Sequence, residues 1–516
     1  MSSEPYYITT AISYPNGKPH IGHAYEAIAT DAIARFQRLS GREVFFLTGT
    51  DEHGLKMVKT ARELGVEVAT LSDDMSGLFK VMCDRLDISY DRFIRTTEPA
   101  HHNASQALWK AMEANGDLHL GRYEGWYSVR DEAFYDDKEL VDGPKVEGQE
   151  RVRLSPQGTP VEWTVEESWF FRLSKYQQPL LDHFAANPDF IRPESRRNEI
   201  LRFVEGGLND LSISRTSFDW GVKVPGSDGH VMYVWVDALT NYLTGIGYPD
   251  NAETFAKYWP ADLHVIGKDI VRFHTVYWPA FLLSAGIALP KQVFGHGFLL
   301  ARGGEKMSKS LGNVVDPIEL ADAFGVDALR YFLLREVSFG SDGSYSPEAI
   351  VTRVNADLAN NFGNLAQRSL SMIAKNCDGI VPVAGPATEA DDQLLVAISA
   401  AELAASAAMS DLAINTALEA IWQAMSSANL YFAEQAPWTV RKTDAARADT
   451  ILYFTLEAVR RLAILASWAI PNGCGKILTL LGQSSTPSFA DLSKPLEAGT
   501  VLPMPVGAFP RLELPT

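Results

Sequence analysis

The sequence predicts an α/β domain on a parallel sheet, interrupted by an α+β insertion and followed by an all-α helical bundle. Three observations carry this. β-type runs at residues 6–12 and 43–47 end in turn-rich stretches and flank a helical stretch at 21–39. That strand–turn–helix–strand order begins a parallel sheet, with functional loops at the C-terminal ends of its strands. Across 116–225 short aromatic strands alternate with acidic and Gly/Pro turns, and beyond Ser346 the apolar residues recur at helical spacing.

In chain order, the first strand gives way to Ser13-Tyr14-Pro15-Asn16-Gly17-Lys18-Pro19, and the second to Thr48-Gly49-Thr50-Asp51-Glu52-His53-Gly54. Helices are expected at 56–64 and 71–86. The insertion shows its strands at 124–129 and 161–165. The parallel pattern resumes at 231–235, 262–266 and 293–300. Val351, Val354, Leu358, Phe362 and Leu365 then mark one apolar face of a long helix. Helices at 391–408, 412–434 and 445–469 read as an antiparallel bundle. From Leu492 the chain is rich in Pro and Gly and is expected to wrap back over the body. The boundaries read from this are 1–115 and 226–295 for the two halves of the sheet domain, 116–225 for the insertion, 296–346 for a loop-bearing region, and 347–516 for the bundle and tail.

Bulk properties bound the function. A chain of 516 residues exceeds one hydrophobic core, and 46% hydrophobic with 21% charged residues is the composition of a soluble globular protein. The apolar stretches 279–283 and 462–470 are shorter than the ~20 residues that span a bilayer. The first residues show neither a basic n-region nor an apolar h-region, so a cytoplasmic protein is expected. Cys83, Cys377 and Cys474 lie far apart and never as CxxC, which argues against a disulfide framework and a cysteine-rich zinc site. With 46 Lys and Arg against 64 Asp and Glu, the formal charge of −18 gives no hint of a nucleic-acid partner.

Two motifs carry chemistry. Pro19-His20-Ile21-Gly22-His23 opens a helix directly after a strand. Its histidines, three apart, share a helical face at an N-terminus whose unpaired N–H groups attract phosphate. Gly22 leaves the backbone open to a flat base or a ribose. Far downstream, Gly304-Glu305-Lys306-Met307-Ser308-Lys309-Ser310-Leu311-Gly312-Asn313 sets lysines three apart beside hydroxyls, able to neutralise a departing polyphosphate. Its flanking glycines suit a loop that moves. Alone, either motif has a bland reading, a helix start or a solvated basic turn. Together and in this order on an α/β sheet, they form a specific signal.

These are the HIGH and KMSKS signatures, and with them the chain resembles the class I aminoacyl-tRNA synthetases. Ala11-Ile12-Ser13-Tyr14-Pro15-Asn16-Gly17, Gly49-Thr50-Asp51-Glu52-His53-Gly54, Tyr233-Val234-Trp235-Val236-Asp237-Ala238 and Ile266-Gly267-Lys268-Asp269-Ile270-Val271-Arg272-Phe273-His274 narrow the resemblance to the methionyl-tRNA synthetase family, from about Tyr6 to Trp438. The resemblance implies a Rossmann-like catalytic domain, a connective-peptide insertion and a helical anticodon-binding domain. It implies ATP-dependent activation of methionine to methionyl-adenylate and transfer to the 3′-terminal adenosine of tRNA(Met), initiator tRNA included, through the 2′-hydroxyl.

By the same resemblance, the methionine pocket is Ile12, Tyr14, Asp51, Trp235, Ala238, Tyr242, Phe273, His274 and Trp278. Asp51 suits the ammonium, aromatic walls suit a polarizable sulfur, and Tyr14 or His274 could tell sulfur from a methylene. ATP is expected at His20, Gly22, His23, Gly267, Asp269, Lys306, Ser308 and Lys309. The catalytic set is His20, His23, Lys306 and Lys309, with Mg²⁺ neutralising the remaining phosphate charge. Asn364, Arg368 and Trp438 match the family's anticodon readers; exposed Asn and Arg can bond base edges, and a Trp can stack on an unpaired base.

The chain departs from many relatives in one respect. The insertion, where they carry CxxC zinc knuckles, contains no cysteine, and His119 alone cannot hold a four-coordinate zinc. A zinc-free insertion is therefore expected. The chain also stops after Phe509-Pro510-Arg511-Leu512-Glu513 without the C-terminal tRNA-binding or dimerisation module that some members append, so a monomer is expected. Rival readings are a synthetase for leucine, valine or isoleucine, which would carry a larger editing insertion, a nucleotidyltransferase, which would not need the long helical region, and a catalytically dead tRNA-binding paralogue.

Overall fold

Six strands form one parallel sheet in the order Arg92–Arg95, Glu43–Thr50, Pro5–Thr10, Leu263–Gly267, Val293–His296, Ile191–Arg192. The computed structural model describes residues 4–128, 133–143, 152–300, 307 and 314–514. Pro5–Thr10 sits between Glu43–Thr50, with Tyr7 opposite Phe45, and Leu263–Gly267, with Thr9 opposite His264. Succession along the chain changes direction at this central strand. The crevice outside its C-terminal end is thus the topological switch point where parallel α/β sheets place ligands. Tyr7, Ile8, Leu263 and Val265 are buried, the near-continuous apolar pattern of strands covered on both faces.

Helix Ile21–Leu39 packs one face onto this sheet through Ile21, Ala24, Tyr25, Ile28, Ala32 and Phe36. Its apolar residues recur three and four apart, which is what binds it to the sheet. Leu55–Leu64 and Val68–Arg85 follow.

Two sequence expectations are corrected. Residues 231–235 are not a strand of the parallel sheet. Val231–Met232 makes a two-residue antiparallel pair with Ser214–Arg215, and Val234–Thr244 is a helix. The run of β-branched and aromatic residues suggests a strand, but Trp235, Ala238, Leu239 and Tyr242 already follow helical spacing, and that period prevails. Likewise the pairing expected through 293–300 ends at His296; Leu299–Leu300 pairs with Gly343–Ser344 instead.

Within 116–225, Leu211–Ser212, Glu162–Phe171, Leu118–Ser128 and Ala133–Tyr135 form a four-stranded antiparallel sheet. Its small satellite core holds Tyr135 and Val161, with Trp126 set edge-on to Trp163 at 5.3 Å. Ile191–Arg192, from the same stretch, supplies the outer edge of the main parallel sheet.

The rest is helical. Pro347–Val354, the π-helical stretch Asn355–Gly363 and Asn364–Asn376 run on as one rod that buries Val354, Leu358, Phe362 and Leu365. Glu389–Ser410, Ile414–Gln435 and Ala445–Ala466 pack together. By length and composition Glu389–Ser410 could cross a membrane, longer than the apolar stretches the sequence suggests. Here its Leu394, Ile398, Ala401 and Ala405 face the bundle, and its buried Asp391 receives hydrogen bonds from Arg447 and Tyr431. The tail returns over the body. Val501 bridges Ile380, and Phe509 lies so close to Gly473 that a Cβ there would meet its ring at 2.1 Å.

Candidate active site

A cavity of about 420 Å³ opens at the switch point. The segment after the first strand contributes Ala11, Ile12 and Tyr14, the end of the second Asp51, helix Val234–Thr244 Trp235, Ala238, Leu239, Asn241 and Tyr242, and the segment after Leu263–Gly267 Asp269, Ile270, Phe273 and His274. His20, Lys56 and Gln157 complete it. The structure thus brings together eight of the nine expected pocket residues. Trp278 is absent from the wall; it is fully buried behind Tyr242, at 6.1 Å between rings, and edge-on to Trp259.

Asp51 is 7% exposed, and the two residues that follow it are anchored by buried hydrogen bonds. The buried Glu52 carboxylate accepts from Arg95 through two nitrogens (2.6 and 2.9 Å) and from Thr50, Ser72 and Thr97. Burial alone would raise its pKa, but Arg95 and the hydroxyls outweigh that and hold it low. His53 meets Asp237 at 2.6 Å, and His101 meets the other oxygen of Asp237 at 2.7 Å. Burial opposes the Asp237 charge, but the two histidines hold its pKa below the usual carboxylate range. Asp237 therefore ties the Asp51 loop, the helix of Trp235 and Tyr242, and helix Pro99–Ala114 into one unit.

The far wall is aromatic and neutral. Trp235 stacks on Phe273 with centroids 3.7 Å apart and planes 11° apart. His274 is fully buried, and burial lowers its pKa to about 4, against an opposing bond to Ile270. The neutral ring has one assignment: Nδ1–H donates to the Ile270 carbonyl at 2.9 Å, and Nε2 accepts from the Tyr242 hydroxyl at 2.7 Å.

His20 and His23 form a reciprocal cap on helix Ile21–Leu39. The Gly22 N–H donates to His20 Nδ1, and the His20 N–H to His23 Nδ1, each at 3.1 Å. Both Nδ1 atoms are acceptors, so each neutral ring carries its proton on Nε2 and presents an N–H donor away from the backbone. The rings lie 3.8 Å apart, and a Cβ on Gly22 would come within 2.9 Å of His20 Cε1. The glycine makes room for the histidine ring itself. Gly267 does the same for Asp269, whose Oδ1 would sit 2.7 Å from a Cβ there. His23 turns to Phe79 in a neighbouring crevice, while His20 and Asp269 face the cavity. Of the second motif, Met307 packs against the large core; Lys306, Ser308 and Lys309 lie outside the described residues.

A second groove, about 710 Å³, shares Gln157, Trp235, Asp269 and Phe273 with the cavity. It runs between the insertion, from Tyr135 and Glu139, and the core, from Lys268 and Arg272. Among the described residues no group of three His, Cys, Asp or Glu is arranged to hold a metal ion.

In the bundle, Asn364 and Arg368 are exposed one turn apart on Asn364–Asn376. The Arg368 guanidinium lies 5.3 Å from the Trp438 ring and 5.1 Å from Phe432, and Phe432 meets Trp438 edge-on at 5.5 Å. Trp438 is 41% exposed, so it is not a core residue. Phe432 is the partner sequence reasoning missed, as it did Lys56, Gln157 and Asn241 in the cavity. Lys56 and Asn241 follow named motifs by a few residues and could have been found by extending them; Gln157 sits in a turn without any such signal.

Residues 6–370 match the family model of class I tRNA synthetases (M), and residues 381–513 that of the anticodon binding domain of methionyl tRNA ligase. The methionine–tRNA ligase of Brucella suis biovar 1 is 60% identical over 513 residues, covering 99% of this chain and 98% of that protein. Its counterpart in Mycobacterium tuberculosis (strain ATCC 25618 / H37Rv) is 59% identical over 521 residues, covering 99% of each. The structure of M. tuberculosis methionyl-tRNA synthetase in complex with methionyl-adenylate superposes with a TM-score of 0.95 at 59% identity, over 98% of this chain and 100% of that one. The free-state structure from that organism gives 0.89 at 56% identity, over 99% of each.

Proposed function

The chain belongs to the class I methionyl-tRNA synthetases, and on that premise we propose how its residues divide the work of activating L-methionine with ATP and charging tRNA(Met). The observation that carries the assignment is the cavity itself: a carboxylate, Asp51, at one side and a neutral aromatic wall closed by Tyr242 and His274 at the other. An ammonium suits the first and an uncharged thioether the second. Ile12, Tyr14, Trp235, Ala238 and Phe273 line the path between.

ATP lies along the capped start of helix Ile21–Leu39. His20 and His23 offer Nε2–H donors to phosphate oxygens, and Asp269 takes the ribose hydroxyls beside Gly267. The methionine carboxylate attacks the α-phosphorus, forming the acyl–phosphate bond as the bond to the β-phosphate breaks and pyrophosphate leaves with the negative charge. Lys306, Ser308 and Lys309 stabilise that leaving group. The 2′-hydroxyl of the terminal adenosine then attacks the methionyl carbonyl, losing its proton as AMP departs. Neither step needs a side-chain nucleophile, so positioning and electrostatics carry the catalysis. The tRNA 3′ end approaches through the second groove, and Asn364, Arg368 and Trp438 read the anticodon.

Mg²⁺ supplies charge neutralisation when it accompanies ATP. The cysteine-free insertion folds without zinc, held by Trp126, Tyr135, Val161 and Trp163. A cytoplasmic monomer fits this role.

ATP–pyrophosphate exchange with each of the twenty amino acids tests the reading. Exchange with methionine alone supports it. Exchange with leucine or valine removes the pocket assignment, and none with any amino acid in folded protein favours a tRNA-binding paralogue.

A further inference from the structure

An ion pair crosses the groove beside the cavity. Arg272, on the segment after Leu263–Gly267, donates through Nη1 to Oε1 of Glu139 at 3.1 Å. Glu139 belongs to the insertion, in the 3₁₀ turn Asp137–Glu139 that follows strand Ala133–Tyr135. Both side chains line the groove, and with 36% and 29% of their surface exposed they are open to a ligand within it.

Each partner is held from behind. The second oxygen of Glu139 accepts the Asp136 N–H at 3.0 Å, closing a capping box on the turn. The cap accounts for one carboxylate oxygen and leaves the other for Arg272. The guanidinium carbon lies 4.0 Å from the centre of the Phe203 ring, and Phe203 packs against the buried core that holds Tyr7 and Ile266. A planar guanidinium on an aromatic face, with an anion opposite, is a seat that takes carboxylate or phosphate alike.

Three cations line this groove among the described residues: Arg202, Lys268 and Arg272. Lys268 is engaged by both oxygens of Asp342, at 2.7 and 2.8 Å, whereas Arg202 stands exposed. In a chain of formal charge −18, a polyanion is drawn into the groove only where a cation is released to it. The groove joins the cavity at Trp235, Asp269 and Phe273. An RNA strand that ends at the methionyl carbonyl therefore passes Arg272, the chain neighbour of Phe273.

We propose, resting on the reading that the tRNA 3′ end enters through this groove, that Arg272 binds a backbone phosphate of that end and that Glu139 holds the same guanidinium until the RNA arrives. The carboxylate stands in for the phosphate. Exchange of one anion for the other keeps Arg272 paired throughout. The displaced Glu139 then faces a phosphate, and the repulsion moves the insertion off the core. The pair closes the groove during activation, which needs no tRNA, and opens it for transfer.

Steady-state charging of a tRNA(Met) transcript, read beside methionine-dependent ATP–pyrophosphate exchange, tests this. Glu139→Gln keeps an acceptor for the Asp136 N–H and removes the charge. It should lower the tRNA KM about two- to fivefold, the worth of a half-exposed ion pair. Arg272→Gln should raise that KM about tenfold or more, the worth of a hydrogen bond to a charged group. Exchange should hold within about twofold in both; a parallel loss there would make the pair a structural brace and overturn the proposal. In the double variant the Glu139 effect should vanish, because it acts through Arg272. An equal fall in both backgrounds would show a diffuse field acting on the RNA, which is equally fatal. Arg272→Lys, which keeps the charge but loses the fork, serves if the glutamine variant does not fold. It should raise the tRNA KM by a smaller factor, and an unchanged value counts against the contact. Arg202→Gln separates the two levels. A raised tRNA KM there with none in Arg272→Gln keeps the path and sinks the Arg272 contact, whereas no change in either sinks the path itself.

Discussion

The guanidinium of Arg330 meets the carboxylate of Asp31 at 2.6 Å with both side chains fully buried. Asp31 lies on the helix that His20 caps, and Arg330 on Val326–Glu336. Arg330 also donates to the Ala469 carbonyl at 3.1 Å and to that of Leu86 at 3.3 Å. One buried ion pair thus joins the helix that His20 caps to Val326–Glu336, and through the Ala469 carbonyl to the end of the helical bundle. Arg330→Met should cost about 3–5 kcal/mol, because it strands a buried carboxylate that Arg35 then neutralises alone. Adding Asp31→Asn should restore much of that loss. Denaturant unfolding of both variants checks this; a cost under about 1 kcal/mol for the first would remove the pair from the junction's stability.

Asp237 accepts from two imidazoles at once, an arrangement an amide cannot reproduce. Asp237→Asn offers one acceptor and one N–H₂, so His53 or His101 faces a donor and must change tautomer or move. Because His53 is two residues from Asp51, the methionine KM should rise about tenfold or more while the ATP KM holds within about twofold. Steady-state exchange kinetics give both values. A fall in kcat with both KM values unchanged would show that the bridge does not position Asp51.

Burial of His274 as a neutral ring makes stability depend on pH. Its pKa is about 4 in the fold and near 6.5 in an unfolded chain. Between those values the unfolded state binds a proton that the native state refuses, so stability rises with pH across this window and falls on acidification. From pH 7 to pH 5 this one group should remove about 2 kcal/mol. His274→Gln should flatten the profile by that amount, measured as unfolding free energy at the two pH values; identical slopes would mean the ring is not held neutral.

Much of this site is legible in the sequence, and what is not has identifiable causes. Asp51 stands in a glycine-flanked strand end, and His20 and His23 at a strand-to-helix turn, so local pattern suffices. Helical spacing from Trp235 to Tyr242 was masked by a β-branched run, and 231–235 reads as a strand until packing decides. Ile191–Arg192 is two residues long and carries no period, so its place at the sheet edge arises only from pairing with Val293 and Phe294. Trp278 resembles a pocket aromatic in sequence yet stands one layer behind Tyr242, a distinction that depth alone makes. Gln157 reaches the cavity from another unit of the fold, which no neighbouring residue announces.

At the other end of the molecule, Trp438 projects with 41% exposure beside Arg368. Loss of base stacking is worth roughly 1–3 kcal/mol. Trp438→Ala should therefore lower kcat/KM for tRNA about tenfold to a hundredfold and leave methionine-dependent exchange intact. Parallel loss in both assays would make Trp438 a structural residue.

Gly22 offers the sharpest separation of stability from chemistry. A Cβ there would stand 2.9 Å from His20 Cε1 and 3.0 Å from Nδ1, so in Gly22→Ala the imidazole must swing off the backbone and give up the bond from the residue-22 N–H. Loss of a cap costs about 0.5–2 kcal/mol, while replacing a helical glycine by alanine returns about 1 kcal/mol. The two effects nearly cancel, and the melting temperature should shift by no more than a few degrees. Function should not be spared. With Nδ1 released, neither the tautomer nor the aim of the His20 Nε2–H is fixed, and loss of one preorganised donor at a developing charge costs about 100-fold in rate. Exchange kcat should fall by that order while the methionine dissociation constant stays near wild type, since Asp51 and the aromatic wall of Trp235, Tyr242, Phe273 and His274 are untouched. Full activity in a folded variant would show that the cap is incidental to phosphate chemistry, and an unfolded variant would show that Gly22 serves packing first.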